Sequence, residues 1–386
     1  MRIGILTLPL HTNYGGILQA YALQTVLERM GHEVVVFDTP NKNFLPPLWK
    51  LPLSFAKRAI LKFVGKIDRV FIERYNNNVR SVITQYIQPF IDSNIHRKEI
   101  RSFKELKQED FDVIVVGSDQ VWRILYFPSL WLGQQIENAY LDFAKNWNVK
   151  KIAYAASFGT ENWEYDEEQT EKCKDLLCKF DAVSTREVDG IKLCKTKFDV
   201  DALLVLDPTM LLNMDDYITL LQKAKTPRSD GTLLNYILDD SEEIDILINK
   251  VATDNHLVPF SVNNQFEYDD SKPLQQRIKP SVETWLRGFY DAEFVITDSF
   301  HACVFSILFK KQFIVVGNKE RGMSRFKSLL KMFGLEERLV EANCDISTLQ
   351  QIDYDKVYNI YDKFKELSMR YLLENLTSVP LKRDDY

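Results

Sequence analysis

Residues 3–38 read IGILTLPLHTNYGGILQAYALQTVLERMGHEVVVFD, and this stretch decides the fold class. Ile3 to Leu8 is a short apolar run, and His11-Thr12-Asn13-Tyr14-Gly15-Gly16 reads as a turn. Leu18, Ala22, Val26 and Met30 then recur at helical spacing. Gly31 stands where a helix ends on a left-handed residue, and Glu33 to Asp38 is a second strand-like run. Strand, glycine turn, helix and strand in so short a span predict a β-α-β unit with parallel strands.

The rhythm continues outward. Asp112-Val113-Ile114-Val115-Val116-Gly117 predicts a buried strand opening into Ser118-Asp119-Gln120, and further strands are expected at 151–155, 181–184 and 203–206. A charged helix is expected over 166–179, and Asp207-Pro208 ends the first unit. The second half predicts strands near 232–238, 257–262, 293–297 and 312–316, with helices near 242–253, 281–290, 301–309 and 324–333. Val357, Tyr361, Phe364, Leu367, Met369 and Leu372 mark a long amphipathic terminal helix over 353–377. The expectation is two doubly wound, Rossmann-like α/β domains, 1–210 and 211–350.

The 386 residues carry 49 Lys and Arg against 55 Asp and Glu, a net charge of −6, which argues against a general nucleic-acid binder. Five cysteines show no metal or disulfide spacing, so a reducing, cytoplasmic setting without a metal site is expected, with Cys303 a buried inert thiol. The N-terminal residues do not read as a signal peptide, and no apolar run approaches 18 residues. Pro40, Pro46, Pro47 and Pro52 predict an extended connector over 40–53. After it, Phe55, Ala59, Ile60, Phe63, Val64, Ile67, Val70 and Phe71 form a helical stripe. Lys57, Arg58, Lys62, Lys66, Arg69 and Arg74 lie opposite. Residues 54–74 are read as a surface helix, with peripheral contact to an anionic membrane as the sharper alternative.

Ligands of open α/β sheets sit beyond the carboxyl ends of strands, which directs attention to four segments. Asn13, Tyr14, Gly15 and Gly16 precede a helix N-terminus, where small residues let backbone approach a ligand and free N–H groups favour an anion. Ser118, Asp119, Gln120 and Trp122 offer a carboxylate, an amide and an aromatic face for sugar hydroxyls, or a plain turn. Ser184-Thr185-Arg186-Glu187 places a guanidinium that can hold a carboxylate or phosphate bidentately, or a surface Arg–Glu pair. Thr297-Asp298-Ser299-Phe300-His301 delivers Asp298, Ser299 and His301 to one sheet edge. Histidine exchanges its proton near neutral pH, which suits acid–base work, anion binding or a helix cap. The spacing argues against a hydrolase triad, because neighbours on one turn rarely reach each other in the required geometry and no GxSxG elbow is present.

In order and spacing these segments resemble the polysaccharide pyruvyl transferase family. The likeness is carried by Asn13-Tyr14-Gly15-Gly16-Ile17-Leu18-Gln19-Ala20-Tyr21, Val116-Gly117-Ser118-Asp119-Gln120-Val121-Trp122, Ser184-Thr185-Arg186-Glu187, Asp207-Pro208-Thr209, Thr297-Asp298-Ser299-Phe300-His301, Arg321-Gly322 and Arg325-Phe326. It covers about residues 1–340, with residues 40–110 matching less well, and departs at Ala302, where the family commonly has glycine. The resemblance implies a GT-B-like pair of domains facing a cleft, with the terminal helix crossing back to the first. It implies phosphoenolpyruvate as co-substrate, no resident cofactor, and a sugar or lipid-linked saccharide as acceptor, joined as a pyruvate ketal. Arg186, Arg321, His301 and Ser299 would hold the donor, and His301 with Asp298 would do the chemistry. The Asn13–Gly16 loop, Ser118, Asp119, Gln120 and Trp122 would face the acceptor. A nucleotide-sugar glycosyltransferase, a non-catalytic glycan-binding relative and an enolpyruvyl transferase that stops before ring closure are the competing readings.

Overall fold

The computed structural model describes residues 1–377 except 43–44, 46–47, 65–68, 265, 268, 318–322 and 345. Two wholly parallel sheets organise it. The first contains β1 (Arg2–Leu6), β2 (Glu33–Asp38), β3 (Arg97–Glu99), β4 (Val113–Val116), β5 (Lys150–Ala156), β6 (Ala182–Thr185) and β7 (Leu203–Leu204), in the order β3-β2-β1-β4-β5-β6-β7. The second contains β8 (Leu233–Tyr236), β9 (Pro259–Phe260), β10 (Phe294–Thr297), β11 (Gln312–Val316) and β12 (Leu339–Val340), in the order β12-β11-β10-β8-β9. Both are Rossmann-like α/β units, as the alternation predicts.

The central strands are apolar on both faces because helices cover both. Every residue of β4 is buried, as are Val295 and Ile296 of β10 and Phe313 to Val316 of β11. Gly31 closes the first helix, Tyr14–Arg29, at φ +87°, a conformation that costs a residue with a Cβ. Asp166 and Gln169 form a reciprocal cap on the helix Glu167–Leu177.

Each sheet reverses its strand order once, between β1 and β4 in the first and between β8 and β10 in the second. Crevices open at such reversals, beyond the carboxyl ends of the strands. The loops after β1, β4 and β10 are the ones singled out above.

Several boundaries differ from expectation, each for a local reason. β7 stops at Leu204 because the Leu206 N–H is taken by Ser368 Oγ of the terminal helix at 3.0 Å. β9 is only two residues, an edge strand that starts at a proline without a ladder donor. The connector over 40–53 is not extended throughout: a 3-10 turn forms at Leu48–Lys50 and a helix starts at Leu51, with Pro52 in its first turn, where the missing N–H costs nothing. Residues 54–74 are not one helix either. The first ends at Phe63 and a second spans Ile72–Ile83.

The terminal helix Tyr354–Thr377 lies against the first domain: Tyr371 Oη donates to Ala153 O at 2.9 Å and Tyr361 Oη to Met210 O at 2.7 Å. One apolar core crosses between the sheets through Tyr14, Leu212, Tyr217, Trp285, Phe300 and Tyr361. The Tyr14 ring stacks on Trp285 with centroids 5.6 Å apart, and its hydroxyl donates to Pro280 O at 2.7 Å.

Candidate functional site

Arg186, immediately after β6, is buried among groups that follow β4, β7 and β10. Its Nη1 donates to Asp207 Oδ2 at 2.6 Å and to Ser118 Oγ at 3.1 Å, and its Nη2 donates to Asp119 Oδ1 at 3.3 Å. Nε makes no hydrogen bond among the described residues, with Glu187 Oε2 standing 4.0 Å away. Burial works against the guanidinium charge, but Asp207, Asp119 and Glu187 outweigh it and hold the group more firmly protonated than usual. The surface Arg–Glu pair is therefore excluded: Glu187 is itself buried, accepting from Ser157 Oγ and from the Phe158 and Gly159 N–H groups.

Asp207 ties the cluster together. Its Oδ1 accepts from Thr209 N at 3.0 Å and Thr209 Oγ1 at 2.7 Å, and its Oδ2 accepts from Arg186 and from Ser118 Oγ at 3.0 Å. Burial opposes its charge, yet His301 and the Arg186 guanidinium hold its carboxyl far below the usual carboxylate range.

His301 arrives from the second domain, in the first turn of the helix Phe300–Leu308. Its Nε2 lies 3.4 Å from Arg186 Nη1 and 3.6 Å from Asp207 Oδ2. A neutral imidazole can accept from Arg186 there, and a protonated one can donate to Asp207. The other side of the ring meets the first domain: a Cβ placed on Gly15 would come within 2.0 Å of His301 Nδ1. Glycine at 15 is thus what lets the two domains close on the imidazole. Gly15→Ala is expected to cost about 1–3 kcal/mol as an overpacked contact. An unchanged melting temperature would refute the closure.

Asp119 is pinned at φ +69°, an uncommon conformation for a residue with a side chain. Its carboxylate accepts from Asn13 Nδ2 at 3.2 Å and Gln120 N at 2.9 Å as well as from Arg186. Asn13 is exposed at the mouth of this cluster, and Ser299 is half-buried at the head of the His301 helix.

The other anticipated residues lie elsewhere. The Asp298 carboxylate accepts from the Leu238 and Asp239 N–H groups at 2.8 and 2.9 Å, closing the β8–β10 crevice, and the carboxylate beside His301 is Asp207. Trp122 has no exposed surface. Its Nε1 donates to Ala139 O at 3.2 Å and its ring stacks on Tyr140. Tyr14 is buried in the domain interface, and Gln120 Oε1 accepts from Arg123 Nη1 at 3.1 Å. Gly16 sits against Asn13 and Asp119. Arg321 lies outside the described residues.

One cation was not singled out as a site residue. Arg325, in the helix Ser324–Phe333, is buried with its Cζ 5.5 Å from the Phe300 ring centroid, and Arg186 Cζ lies 4.5 Å from the same centroid. Burial first, and the neighbouring Arg186 charge second, push it down to about 10. Two arginines on one aromatic ring make a place where an added anion is favoured. The Arg325-Phe326 pair in the sequence carried that signal.

A cavity of about 370 Å³ opens between the domains, lined by His11, Thr12, Arg80, Glu267, Asp270 and Arg277 among others; Arg186, Asp207 and His301 do not line it, and Thr12 precedes Asn13 in the chain.

No curated protein is a significant match to the chain. Solved structures similar to it include a glycosyltransferase from Rickettsia africae, 12% identical, covering 98% of this chain and 99% of that one with a TM-score of 0.49. Another is a UDP-GlcNAc 2-epimerase from Neisseria meningitidis, 11% identical, covering 97% and 99% with a TM-score of 0.48. The family model for polysaccharide pyruvyl transferase matches residues 13–320, from the Asn13 loop past His301. With most of its length matched, the chain belongs to the polysaccharide pyruvyl transferase family.

Proposed function

We propose that the chain transfers pyruvate from phosphoenolpyruvate to a sugar diol, forming a ketal. The observation that carries this reading is the meeting of His301, from the strand-order reversal of the second sheet, with Arg186 and Asp207 beyond the carboxyl ends of β6 and β7 of the first. Such a place combines an imidazole able to move a proton with buried arginines suited to a doubly charged anion.

The reaction needs a proton at C3 of the enol as C2 becomes oxocarbenium-like. One sugar hydroxyl attacks C2 and loses its proton, phosphate departs with the C–O bonding pair, and the second hydroxyl closes the ring at C2 and loses its own. His301, protonated and held by Asp207, is the donor of the C3 proton. Arg325 and the Arg186 Nε edge stabilise the carboxylate and phosphate through charge-assisted hydrogen bonds. Arg321 is proposed to add a further cation, and Ser299 a hydroxyl. Asp119 and Asn13 face the acceptor, whose saccharide enters through the 370 Å³ cavity. Its size and its lining, where Arg80, Glu267, Asp270 and Arg277 stand beside Val79, Ile83 and Leu130, suit a sugar. Asp298 holds the crevice in shape through its two backbone contacts rather than acting on substrate.

The test is the thermal shift of the purified protein with phosphoenolpyruvate, UDP and GDP side by side. Phosphoenolpyruvate at 100 times its Kd is expected to stabilise by about 2.7 kcal/mol. Arg325→Gln is expected to remove most of that gain while leaving the unliganded protein folded. Stabilisation by a nucleoside diphosphate alone would overturn the reading in favour of nucleotide-sugar chemistry.

A further inference from the structure

Residues 39–67 carry Lys42, Lys50, Lys57, Arg58, Lys62 and Lys66 and no acidic residue, while the rest of the chain holds 43 Lys and Arg against 55 Asp and Glu. The structure shows what this cationic stretch does with its apolar side chains. The helix Leu51–Phe63 turns Phe55 inward, where its ring meets Phe71 at 5.0 Å. Arg58 also turns inward, both Nη atoms donating to Glu73 at 2.7 Å. The opposite face is left bare. Phe63 is 93% exposed, Leu53 79%, Trp49 77% and Ile60 65%. At about 100° per residue, Trp49, Leu53, Ile60, Phe63 and Val64 fall within one arc of about 100°, with Lys50 and Lys57 along its edge. No residue of this helix is buried.

Large apolar side chains lined up on one exposed face mark an interaction surface. We infer that residues 49–64 are a docking element for an anionic lipid bilayer surface. The exposed Trp, Leu, Ile and Phe enter the headgroup boundary, and the flanking cations meet anionic headgroups. This pattern belongs to a helix that lies in the interface, and among the described residues no helix is long and apolar enough to cross a membrane. Charge selects the partner. A bilayer with anionic lipids complements an acid-free cationic segment, whereas a second copy packed symmetrically on this face would set Lys50 and Lys57 against their own copies.

The placement also has a geometric consequence. Between this helix and the helix Ile72–Ile83 lies a cavity of about 670 Å³, and Tyr75, Asn76 and Asp270 line both it and the 370 Å³ cavity that reaches His11 and Thr12. The inward side of the docking helix, carrying Ser54, Arg58 and Leu61, therefore shares a wall with the interdomain cavity, while Trp49, Leu53, Ile60 and Phe63 point away from it. The inference stands independently of the pyruvyl-transfer reading.

The test is co-flotation of the full chain with phosphatidylcholine–phosphatidylglycerol vesicles and with phosphatidylcholine vesicles alone, without any substrate. The protein is expected to float with the anionic vesicles at low salt and to be released as salt rises. Leu53→Asp with Phe63→Asp is expected to abolish flotation. Lys50→Ala and Lys57→Ala should each lower the partition about fivefold. All four side chains are exposed, and unchanged melting curves check that folding is intact. No flotation at low salt, flotation unchanged by the double aspartate variant, or equal binding to neutral vesicles would each overturn the inference. So would a dimer in sedimentation that is lost in Phe63→Asp, which would assign the face to a second copy. Failure here leaves the phosphoenolpyruvate shift untouched, and failure of that shift leaves flotation untouched.

Discussion

Replacing His301 by glutamine is expected to lower pyruvyl transfer by about 10²–10⁴-fold, the contribution of a positioned acid–base group. Glutamine fills similar space and can bond to Arg186 or Asp207, so the domain contact at Gly15 survives and the melting temperature should change little. What it cannot do is carry a proton to C3. The pH profile separates the two roles. If imidazolium is the acid, kcat/KM of the natural protein falls as pH rises and the ring gives up its proton. The variant should lose that limb along with the rate. Phosphate release measured with a saccharide acceptor across pH gives both readouts. Equal turnover in the two proteins would end the proposal for His301, and a slow variant that kept the same pH limb would move the acid to another group.

Asp207→Asn is expected to cost the fold about 3–5 kcal/mol at neutral pH, because it leaves the buried Arg186 charge without its closest partner. Asp119 at 3.3 Å and Glu187 at 4.0 Å remain, but each is already engaged elsewhere. The sign of the pH dependence follows from the depressed Asp207 carboxyl. Its contribution is fully present above the titration of an unfolded aspartate, near pH 4, and is lost as pH falls toward its folded value. The gap between natural and variant protein should therefore be constant from neutrality down to about pH 5 and narrow below about pH 4. Denaturant unfolding at neutral and acid pH measures both. Equal stabilities at pH 7 would show that Arg186 is held by its other partners.

Much of the architecture was legible because parallel strands buried on both faces write themselves as unbroken apolar runs, such as Val113–Val116 and Phe313–Val316. The helices that cover them carry their own caps and glycine stops. The strands that escaped are short and edge-located: β3 and β12 are three and two residues long, too brief for any periodicity to register, and the 11-residue helices Val188–Phe198 and Met214–Ala224 escaped as well. The prolines at 46, 47 and 52 hid a helix start, since a proline in a first turn and one in an extended connector look alike along the chain.

The sequence by itself determined which loops could carry a site, because strand ends and glycine turns are local features, and Arg186, His301 and Asp119 were picked from them. Only the tertiary structure decided which of those groups meet. Asp207, 94 residues before His301, becomes its carboxylate partner because the second domain closes over Gly15, while the nearer Asp298 turns to its own backbone. Arg325 joins the cluster through the ring of Phe300, and Tyr14 and Trp122, which the sequence placed beside an acceptor, are taken by the cores. The physical reason is range. Side-chain spacing fixes what a loop contains within a few residues, but strand order and domain closure fix which loops share a crevice, and those depend on burial summed over the whole chain.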